Sequence, residues 1–287
     1  MTNTWLVTGA SRGLGRAIAE EALRRGDRVV ATARDTSALA DLADPARVLA
    51  LKLDLADAAG REAVGSVVAE AEAWARDTAG SDTAGVDVLV NNAGHGLVGS
   101  LEELSDADVA RVLGVNVLGA LAMTRAVLPH MRARRRGHVV AMSSVGGVVA
   151  NPGHALYATA KFALEGMSEA LAGEAAPFGV RVTIVEPGPF RTDFAGTSMH
   201  TATAIADYAD TPAGALRSGM AAQDGAQAGD PARAAAAIAD AVGDPSSPLR
   251  LPLGVRAVDR IRAKLRAQLA DLDRTEATAR WADAAPS

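Results

Sequence analysis

Short runs of consecutive apolar residues recur along the chain, and longer stretches with an apolar residue every three or four positions lie between them. Several runs are continuous blocks of Val, Leu and Ile, without the in-and-out alternation of a strand that has one face in solvent. Such blocks predict strands that are buried on both faces. The predicted strands are Trp5–Val7, Arg28–Ala33, Val48–Leu53, Val86–Val90, His138–Met142, Arg181–Val185 and, from a weaker pattern, Leu249–Pro252.

The stretches between the strands have the apolar spacing of amphipathic helices. The predicted helices are Leu14–Arg25, Arg61–Arg76, Asp106–Leu113, Val117–Arg135, Tyr157–Ala175 and Pro231–Val242. Strands that alternate with helices favour a parallel sheet that is covered on both faces. We therefore expect an α/β fold in one domain over residues 1–253.

Three stretches depart from this alternation. Asp77–Gly85 is small and polar, which predicts a surface loop. Phe194–Gly229 is long, weakly periodic and rich in Ala, Gly and Thr, which predicts either a lid over a substrate or a variable surface insertion. Residues 254–287 form a C-terminal extension with a charged helix over Val255–Arg274, whose charges indicate a solvated face or, alternatively, a subunit contact.

The charge balance and the absent residue types exclude several classes of protein. The 29 basic and 34 acidic side chains give a formal charge of -5, which argues against nucleic acid as the main partner. The sequence has no cysteine, and its five histidines lack the spacing of metal ligands, so we expect no disulfide and no metal site. No apolar run approaches the roughly 18 residues that span a bilayer, and the first strand leaves no room for a signal peptide. We therefore expect a cytoplasmic protein without a membrane partner.

The first predicted strand runs into a glycine-rich turn that opens the first predicted helix. Glycines lack a Cβ atom, so the backbone can turn tightly and approach a bound group. The helix offers free N–H groups and the positive end of its dipole to an anion. This order of strand, turn and helix predicts a site for a dinucleotide pyrophosphate. The residues of this site are Gly9, Ser11, Arg12, Gly13, Leu14 and Gly15.

The end of the second predicted strand bears on the choice between NAD and NADP. An NAD site places an acidic residue there to bind the ribose 2′-hydroxyl, but this chain has Ala33 followed by Arg34. A guanidinium binds a 2′-phosphate through two hydrogen bonds, and Arg12 adds a second positive charge, so we expect NADP rather than NAD. Asp35 weakens this expectation, because its carboxylate could turn toward a ribose.

Polar and small residues follow the third and fourth predicted strands. Asp54 and Leu55 lie where an adenine would bind, and the Asp54 carboxylate either accepts a hydrogen bond from the adenine or caps the next helix. Asn91 ends the fourth strand, where an asparagine side chain can satisfy free backbone groups. Ala93 and Gly94 would let a cofactor pass close to the main chain.

A tyrosine and a lysine four residues apart carry the predicted chemistry. Tyr157 and Lys161 lie on one face of a predicted helix, and Ser144 precedes them. A phenol has an ordinary pKa near 10, which a neighbouring ammonium lowers, as does the positive ring of an oxidised nicotinamide. Ser144 can donate a hydrogen bond to a substrate oxygen. These side chains can move a proton to or from an oxygen while a hydride moves at the attached carbon.

Six motifs resemble the short-chain dehydrogenase/reductase superfamily in its compact single-domain form. They occur in the family's order over residues 4–194 and comprise Thr8–Gly15, Asn91–Gly94, Asn116, Ser144, Tyr157 with Lys161, and Pro187 with Gly188. The resemblance implies a doubly wound (Rossmann) sheet of seven strands and a nicotinamide cofactor. It also implies that Asn116, Ser144, Tyr157 and Lys161 are catalytic, with Ser144 at the family spacing of thirteen residues before Tyr157.

The resemblance implies further roles. Asn116 would hold a water that relays protons through Lys161, and both Tyr157 and Lys161 would contact the cofactor, Lys161 at the nicotinamide ribose. The expected contacts to the nicotinamide carboxamide are Pro187, Gly188 and Thr192. The candidate walls of the substrate pocket are His95, His154, Phe190 and Phe194, although a surface or loop position is the alternative for each histidine.

The expected activity is the interconversion of a carbonyl and a secondary alcohol with NADP(H). Two alternatives are the reduction of a carrier-bound 3-oxoacyl thioester and a non-catalytic protein that senses NADP. The basic run Arg132–Arg136 either complements the dipole of the helix that it closes or forms a docking patch for an acidic carrier. Family members usually form dimers or tetramers, and the apolar character of Val117–Arg135 and Tyr157–Ala175 predicts a homo-oligomer.

Overall fold

The chain folds around one parallel sheet of seven strands. The structure is a computed structural model that describes residues 2–42, 44, 46–192, 196, 198–220 and 227–283. The strands are β1 (Thr4–Val7), β2 (Arg28–Ala33), β3 (Val48–Lys52), β4 (Val88–Asn91), β5 (Gly96–Val98), β6 (Gly137–Met142), β7 (Val180–Pro187), β8 (Met199–Thr201) and β9 (Arg250–Leu253). The large sheet has the order β3-β2-β1-β4-β6-β7-β9, and all of its pairs are parallel, which confirms the predicted doubly wound sheet.

Helices cover both faces of this sheet. The helices are α1 (Gly13–Arg24), α2 (Ala58–Glu62), α3 (Val64–Ala79), α4 (Asp106–Leu113), α5 (Ala120–Arg134), α6 (Ala155–Ala175), α7 (Pro212–Met220), α8 (Pro231–Gly243) and α9 (Val255–Trp281). The helix predicted over Arg61–Arg76 is divided at Ala63, and a π-helical turn over Gly114–Gly119 joins α4 to α5. The predicted loop Asp77–Gly85 begins later than expected, because α3 continues to Ala79 and ends at Gly80.

The two faces of the sheet bury separate cores. Trp5 and Val7 in β1 pack with residues of α1 and α8, whereas Leu6 between them packs with residues of α3, α5 and α6. This alternation is the two-residue period of a strand with apolar neighbours on both sides. The continuous apolar runs in the sequence are therefore explained by burial on both faces.

One helical segment is long and apolar enough to span a membrane. Over Asp106–Arg134, an 18-residue window has a mean hydropathy of 1.6 and is 44% buried inside the structure. The expectation that no segment reaches that length is thus wrong by length and composition. Met123, Val127 and Met131 of this segment are fully buried beneath the sheet, which is the position of a core helix.

The predicted lid Phe194–Gly229 contains more regular structure than its sequence indicates. Phe194 itself lies outside the described residues. β8 pairs in parallel with β5, and α7 follows over Pro212–Met220. The pair β5–β8 anchors this segment across the carboxyl ends of the large sheet, because β5 follows directly from β4.

The basic run Arg132–Arg136 closes α5, with Arg132 and Arg134 in its last turn, as the dipole interpretation expects. The guanidinium of Arg134 lies 2.7 Å from Glu72 and donates to the Val86 carbonyl, and Arg136 lies 2.8 Å from Asp87. Arg135 donates to the carbonyl of Pro177. These arginines therefore tie the end of α5 to neighbouring elements, which leaves little of the run for a carrier protein.

The C-terminal extension is a single long helix that leaves the domain. Ala257 and Ile261 of α9 are buried, and every described residue beyond Lys264 is exposed. The helix continues to Trp281, seven residues past the predicted end at Arg274.

Candidate active site

A cavity of about 750 Å³ lies at the carboxyl ends of the parallel strands. This is where ligands bind in doubly wound sheets, next to the point at which the strand order reverses, here between β1 and β4. Among the predicted residues, those that line the cavity are Gly9, Ser11, Arg12, Gly13, Leu14, Arg34, Asp54, Leu55, Ala93, Gly94, His95, Ser144, His154, Tyr157, Lys161, Pro187, Gly188, Phe190 and Thr192. Three described residues of the predicted site, Gly15, Asn91 and Asn116, do not line it.

The glycine turn has the shape that a pyrophosphate requires. Gly9 and Gly13 have φ angles of +66° and +59°, in the left-handed region that side chains disfavour. The N-terminus of α1 follows at Gly13 and presents its free N–H groups to the cavity side of the turn. A Cβ on Gly15 would lie 2.3 Å from Nδ2 of Asn92, so Gly15 is required for packing against the β4 end rather than for contact with a ligand. These features fit a bound dinucleotide.

Asn92, not Asn91, satisfies the backbone at the end of β4. Its Nδ2 donates to the carbonyls of Thr8 and Gly9 at 2.8 and 3.1 Å, which holds the glycine turn against β4. Asn91 instead donates to the hydroxyl of Thr124 in α5 at 2.9 Å. Of the two asparagines that end this motif, only Asn92 therefore satisfies the free backbone groups, because alternate residues of a strand face opposite sides of the sheet.

The hydrogen bonds of Asp35 and Asp54, which follow β2 and β3, bear on the alternative roles of these two residues. Asp35 accepts a hydrogen bond from the backbone N–H of Ser37 at 2.9 Å, and this bond lowers its pKa. Asp54 accepts from the N–H of Ala56, while the cap of α2 is Asp57. Asp54 is therefore not a helix cap, and it lines the cavity beside Arg34.

Tyr157 and Lys161 are almost completely buried, with 8% and 6% of their surface exposed. They project from the first turns of α6, and Nζ of Lys161 lies 5.7 Å from the centre of the Tyr157 ring. Nζ donates to the carbonyl of Met142 at the end of β6, at 2.7 Å. This bond ties the lysine to the end of the strand that leads into Ser144.

Burial dominates the acid–base properties of this pair. It raises the pKa of Tyr157, and a hydrogen bond with Ser144 opposes that effect. It lowers the pKa of Lys161 to about 8, against the opposing charge of Glu165 one turn further along α6. The sequence predicts that the Lys161 ammonium lowers the pKa of Tyr157. In the protein without a cofactor, the desolvation of the phenol has the larger effect, and it raises that pKa.

Ser144 is placed by a short turn after β6. Its Oγ accepts a hydrogen bond from the N–H of Gly146 at 3.0 Å and begins the 3₁₀ turn Val145–Gly147. A Cβ on Gly146 would lie 3.1 Å from Cε1 of Tyr157 and 3.4 Å from Oγ of Ser144. The glycine therefore allows serine and tyrosine to approach each other.

Asn116 lies in the π-helical turn and holds the backbone of His95. Its Oδ1 accepts from the His95 N–H at 3.0 Å, and its Nδ2 donates to the His95 carbonyl at 2.9 Å. The predicted water relay stays a prediction. Both polar atoms of the Asn116 amide are hydrogen-bonded to the backbone of this loop. The role that the structure shows for Asn116 is therefore to position the loop.

Many of the residues that line the cavity were not predicted from the sequence, among them Asn92, His200, Arg256 and Arg260. Asn92 lies inside the motif that ends β4, next to Asn91, which the sequence analysis placed at the cofactor. His200, on β8, has its ring edge-on to that of His95 at 5.4 Å. Arg256 and Arg260 reach the cavity from α9. No local pattern marks these last three residues, because only the tertiary fold brings β8 and α9 to the site.

The family model described as short chain dehydrogenase matches residues 3–203. The chain belongs to the short-chain dehydrogenase family. All six motifs of the resemblance lie within the matched range, and this short-chain dehydrogenase is an oxidoreductase of that family.

Relatives that match almost the whole chain support this assignment. Oxidoreductase BOA17 of Botryotinia fuckeliana is 36% identical over 262 residues, which cover 90% of this chain and 91% of the relative. A short-chain dehydrogenase from Streptomyces avermitilis has a solved structure with 43% identity and a TM-score of 0.87, and the match covers 98% of each chain.

Two more distant members were solved with different cofactors. An enzyme from Sphingobium yanoikuyae in complex with NADPH has 25% identity and a TM-score of 0.71, with 99% of this chain and 98% of that chain covered. One from Burkholderia phymatum in complex with NAD has 24% identity and a TM-score of 0.77, with 95% of each chain covered. The fold thus accommodates both cofactors.

Proposed function

We propose that this short-chain dehydrogenase interconverts a carbonyl and a secondary alcohol with NADP(H), and that Tyr157 is its general acid and base. The observation that carries the proposal is the burial of Tyr157 beside Ser144 and Lys161, on the wall of the cavity that the glycine turn also lines. A phenol in that position can exchange a proton with an oxygen held in the cavity.

In the reducing direction, the O–H bond of Tyr157 breaks and its proton passes to the carbonyl oxygen. A bound nicotinamide supplies the hydride that adds to the carbonyl carbon, or accepts it in the reverse direction. Ser144 donates to the same oxygen and stabilises the negative charge that develops there. Lys161, with a pKa of about 8, is mostly protonated at neutral pH and stabilises the phenolate that remains.

The preference for NADP is supported by the charges near β2. Arg34 and Arg12 line the cavity, and no acidic residue ends β2. Asp35, the residue that would favour NAD, already binds the backbone of Ser37. A 2′-phosphate would satisfy the Arg34 guanidinium, whereas a 2′-hydroxyl would not.

We also propose a cytoplasmic homodimer or homotetramer without a membrane partner. Leu118 in the π-helical turn and Phe162 in α6 are 45% and 44% exposed, on the two helical segments that the sequence marks as contacts. Large apolar side chains on neighbouring helices favour burial against another subunit.

The test is NADPH oxidation by the purified protein across a panel of ketones and aldehydes, with NADH run in parallel. The proposal expects saturable reduction of at least one ketone, with a kcat/KM for NADPH that exceeds that for NADH at least tenfold. NADPH binding without turnover of any carbonyl, or of any alcohol in the reverse direction with NADP, would favour the sensor alternative.

A further inference from the structure

Two guanidinium groups from α9 line the cavity near Gly188. Arg256 and Arg260 are one helical turn apart, on the face that lines the cavity. Ala257 between them packs against Gly188, where a Cβ would lie 3.4 Å from that of Ala257. Gly188 belongs to the segment that is expected to contact nicotinamide, so both arginines lie at the substrate end.

Neither arginine has a carboxylate partner within the described residues. Arg260 donates to Oδ1 of Asn151 at 2.6 Å, a neutral acceptor that also lines the cavity. By contrast, Arg262 on the opposite face of the same helix lies 3.7 Å from Asp259. Arg256 is exposed to solvent at the cavity, whereas the Arg260 guanidinium is partly removed from water and loses solvation that a neutral acceptor repays only in part.

A buried imidazole lies between this pair and the reacting tyrosine. The ring of His154 is 5.9 Å from that of Tyr157, and its Nε2 is buried without a hydrogen-bond partner among the described residues. Burial lowers the pKa of His154, and the nearby charge of Arg260 lowers it further. His154 is therefore a neutral, cation-free part of the cavity lining, with its ring close to both Arg260 and Tyr157.

The cofactor does not account for these positive charges. Among the described residues, the cavity is lined by six cationic side chains, Arg12, Arg34, Arg111, Lys161, Arg256 and Arg260, and by two acidic ones, Asp35 and Asp54. Phosphates of NADP would lie at the glycine turn and the β2 end, near Arg12 and Arg34. Arg256 and Arg260 at the substrate end therefore remain without a role in cofactor binding. Their positive charge stands out because the protein as a whole has a formal charge of -5.

We infer that Arg256 and Arg260 form an anion-recognition site, so that the preferred substrate is a ketone or alcohol bearing a carboxylate or phosphate some atoms away from the reacting carbon. The inference rests on the proposed function and assigns the substrate class of the same cavity. Arg260 binds the anion together with Arg256, and His154 lies between this pair and Tyr157 as part of the wall.

The experiment compares acids with their neutral counterparts in the full-length enzyme with NADPH. Levulinate is measured against its methyl ester, and dihydroxyacetone phosphate against dihydroxyacetone, as substrates or as competitive inhibitors of the best neutral ketone. The acid should have a higher kcat/KM, or inhibit more strongly, than its neutral counterpart. The ratio of the acid's value to that of the neutral compound should fall about tenfold to a hundredfold in Arg260→Ala, and less in Arg256→Ala. The two pairs separate carboxylate from phosphate recognition.

Two controls keep the test decisive. Arg262→Ala removes an equal charge from the outer face of α9 and should leave the ratio unchanged. Arg260→Lys should restore part of it if charge is the cause, whereas a folding defect would lower the thermal midpoint of Arg260→Ala without the acids present. Equal constants for acids and neutral counterparts, or the same ratio in all variants, would overturn the inference.

Failure of the proposed function gives a different result. If no carbonyl is reduced, the thermal midpoint is measured with and without levulinate or inorganic phosphate. A rise that is lost in Arg260→Ala would support the anion site and leave the reaction assignment refuted. No rise with either anion would refute the site as well.

Discussion

The side-chain amide of Asn116 bonds to both the N–H and the carbonyl of His95, 21 residues away. This pairing joins the π-helical turn between α4 and α5 to the loop that leaves β4. The loop carries Ala93 and Gly94 along the cavity, and a Cβ on Gly94 would lie 3.2 Å from Oδ1 of Asn116. The position of the loop is thereby set by one asparagine that does not line the cavity.

Asn116→Ala should therefore impair turnover more than cofactor binding. Loss of the two hydrogen bonds frees the loop, and a displacement of about 1 Å near a reacting centre can cost up to about a hundredfold in rate. We expect kcat to fall tenfold to a hundredfold while the Kd for NADPH, measured by fluorescence, changes less than threefold. Asn116→Asp keeps the hydrogen-bond acceptor, so its kcat should lie between those of the wild type and Asn116→Ala. An unchanged kcat would show that the clamp does not position the site.

Tyr157→Phe should keep NADPH binding and lose most turnover. The substitution removes only the hydroxyl, and general acid–base catalysis contributes about 10²–10⁴-fold to rate. We expect kcat to fall in that range for any accepted ketone, with the Kd for NADPH within a factor of about three. Tyr208→Phe is the matched control, because that hydroxyl donates to Glu102 on an exposed surface. A rate near that of the wild type would remove Tyr157 from its proposed role.

Glu165→Gln should shift the pH dependence of reduction. The Glu165 carboxylate raises the pKa of Lys161, which burial lowers to about 8. Without that charge the lysine pKa falls further, and the ammonium is lost at a lower pH. The alkaline limb of the kcat/KM profile should therefore move to lower pH in the variant. Glu169→Gln, one turn along α6 and exposed, should leave the limb in place; an equal shift in both variants would contradict the assignment.

Local patterns predicted the parts of the site that lie within single elements. Tyr157 and Lys161 share one helix turn, and Gly9, Gly13 and Gly15 share one strand–turn–helix unit, so their spacing along the chain is their spacing in space. The sequence alone was insufficient where a shift of one position along a strand decides which face of the sheet a side chain occupies. Asn91 and Asn92 are interchangeable by type, and only the β4 register separates them.

Contacts between distant segments could not be predicted. Arg260 and Asn151 are 109 residues apart, and their contact depends on where α9 leaves the sheet. The pairing of β8 with β5 likewise forms between a weakly patterned segment and a strand of three residues. Both arrangements are decided by packing against the finished sheet rather than by the propensity of either segment.

Arg34→Ala should weaken NADPH more than NADH. A charge-assisted hydrogen bond contributes about 1.5–3 kcal/mol, so the loss of the guanidinium should raise the Kd for NADPH tenfold to a hundredfold. NADH lacks the 2′-phosphate, and its Kd should change less than threefold. Arg132→Ala, an exposed arginine on α5, is the control for a general change of charge. Equal losses for both cofactors would remove Arg34 as the source of a preference.

The last prediction concerns stability and follows from a buried acidic group below the site. Glu186, at the end of β7, is almost completely buried, and burial together with the charge of Glu165 raises its pKa to about 7. Arg250 lies 3.4 Å from both carboxylates but is itself partly exposed, so it compensates only in part. Between about pH 4.5 and 7 the folded state holds a proton that the unfolded state has lost, and the stability that this proton provides declines as pH rises.

Glu186→Gln removes the titrating group, so its free energy of unfolding relative to the wild type should rise from pH 5 to pH 8. Allowing for the screening by solvent around Arg250, we expect a relative gain of about 1–2 kcal/mol. Denaturant titrations of both proteins at the two pH values measure it. Glu169→Gln removes a carboxylate that binds the same arginine but is 62% exposed, and it should show little gain. A difference between Glu186→Gln and the wild type that is the same at both pH values would mean that Glu186 is already ionised in the folded protein at pH 5.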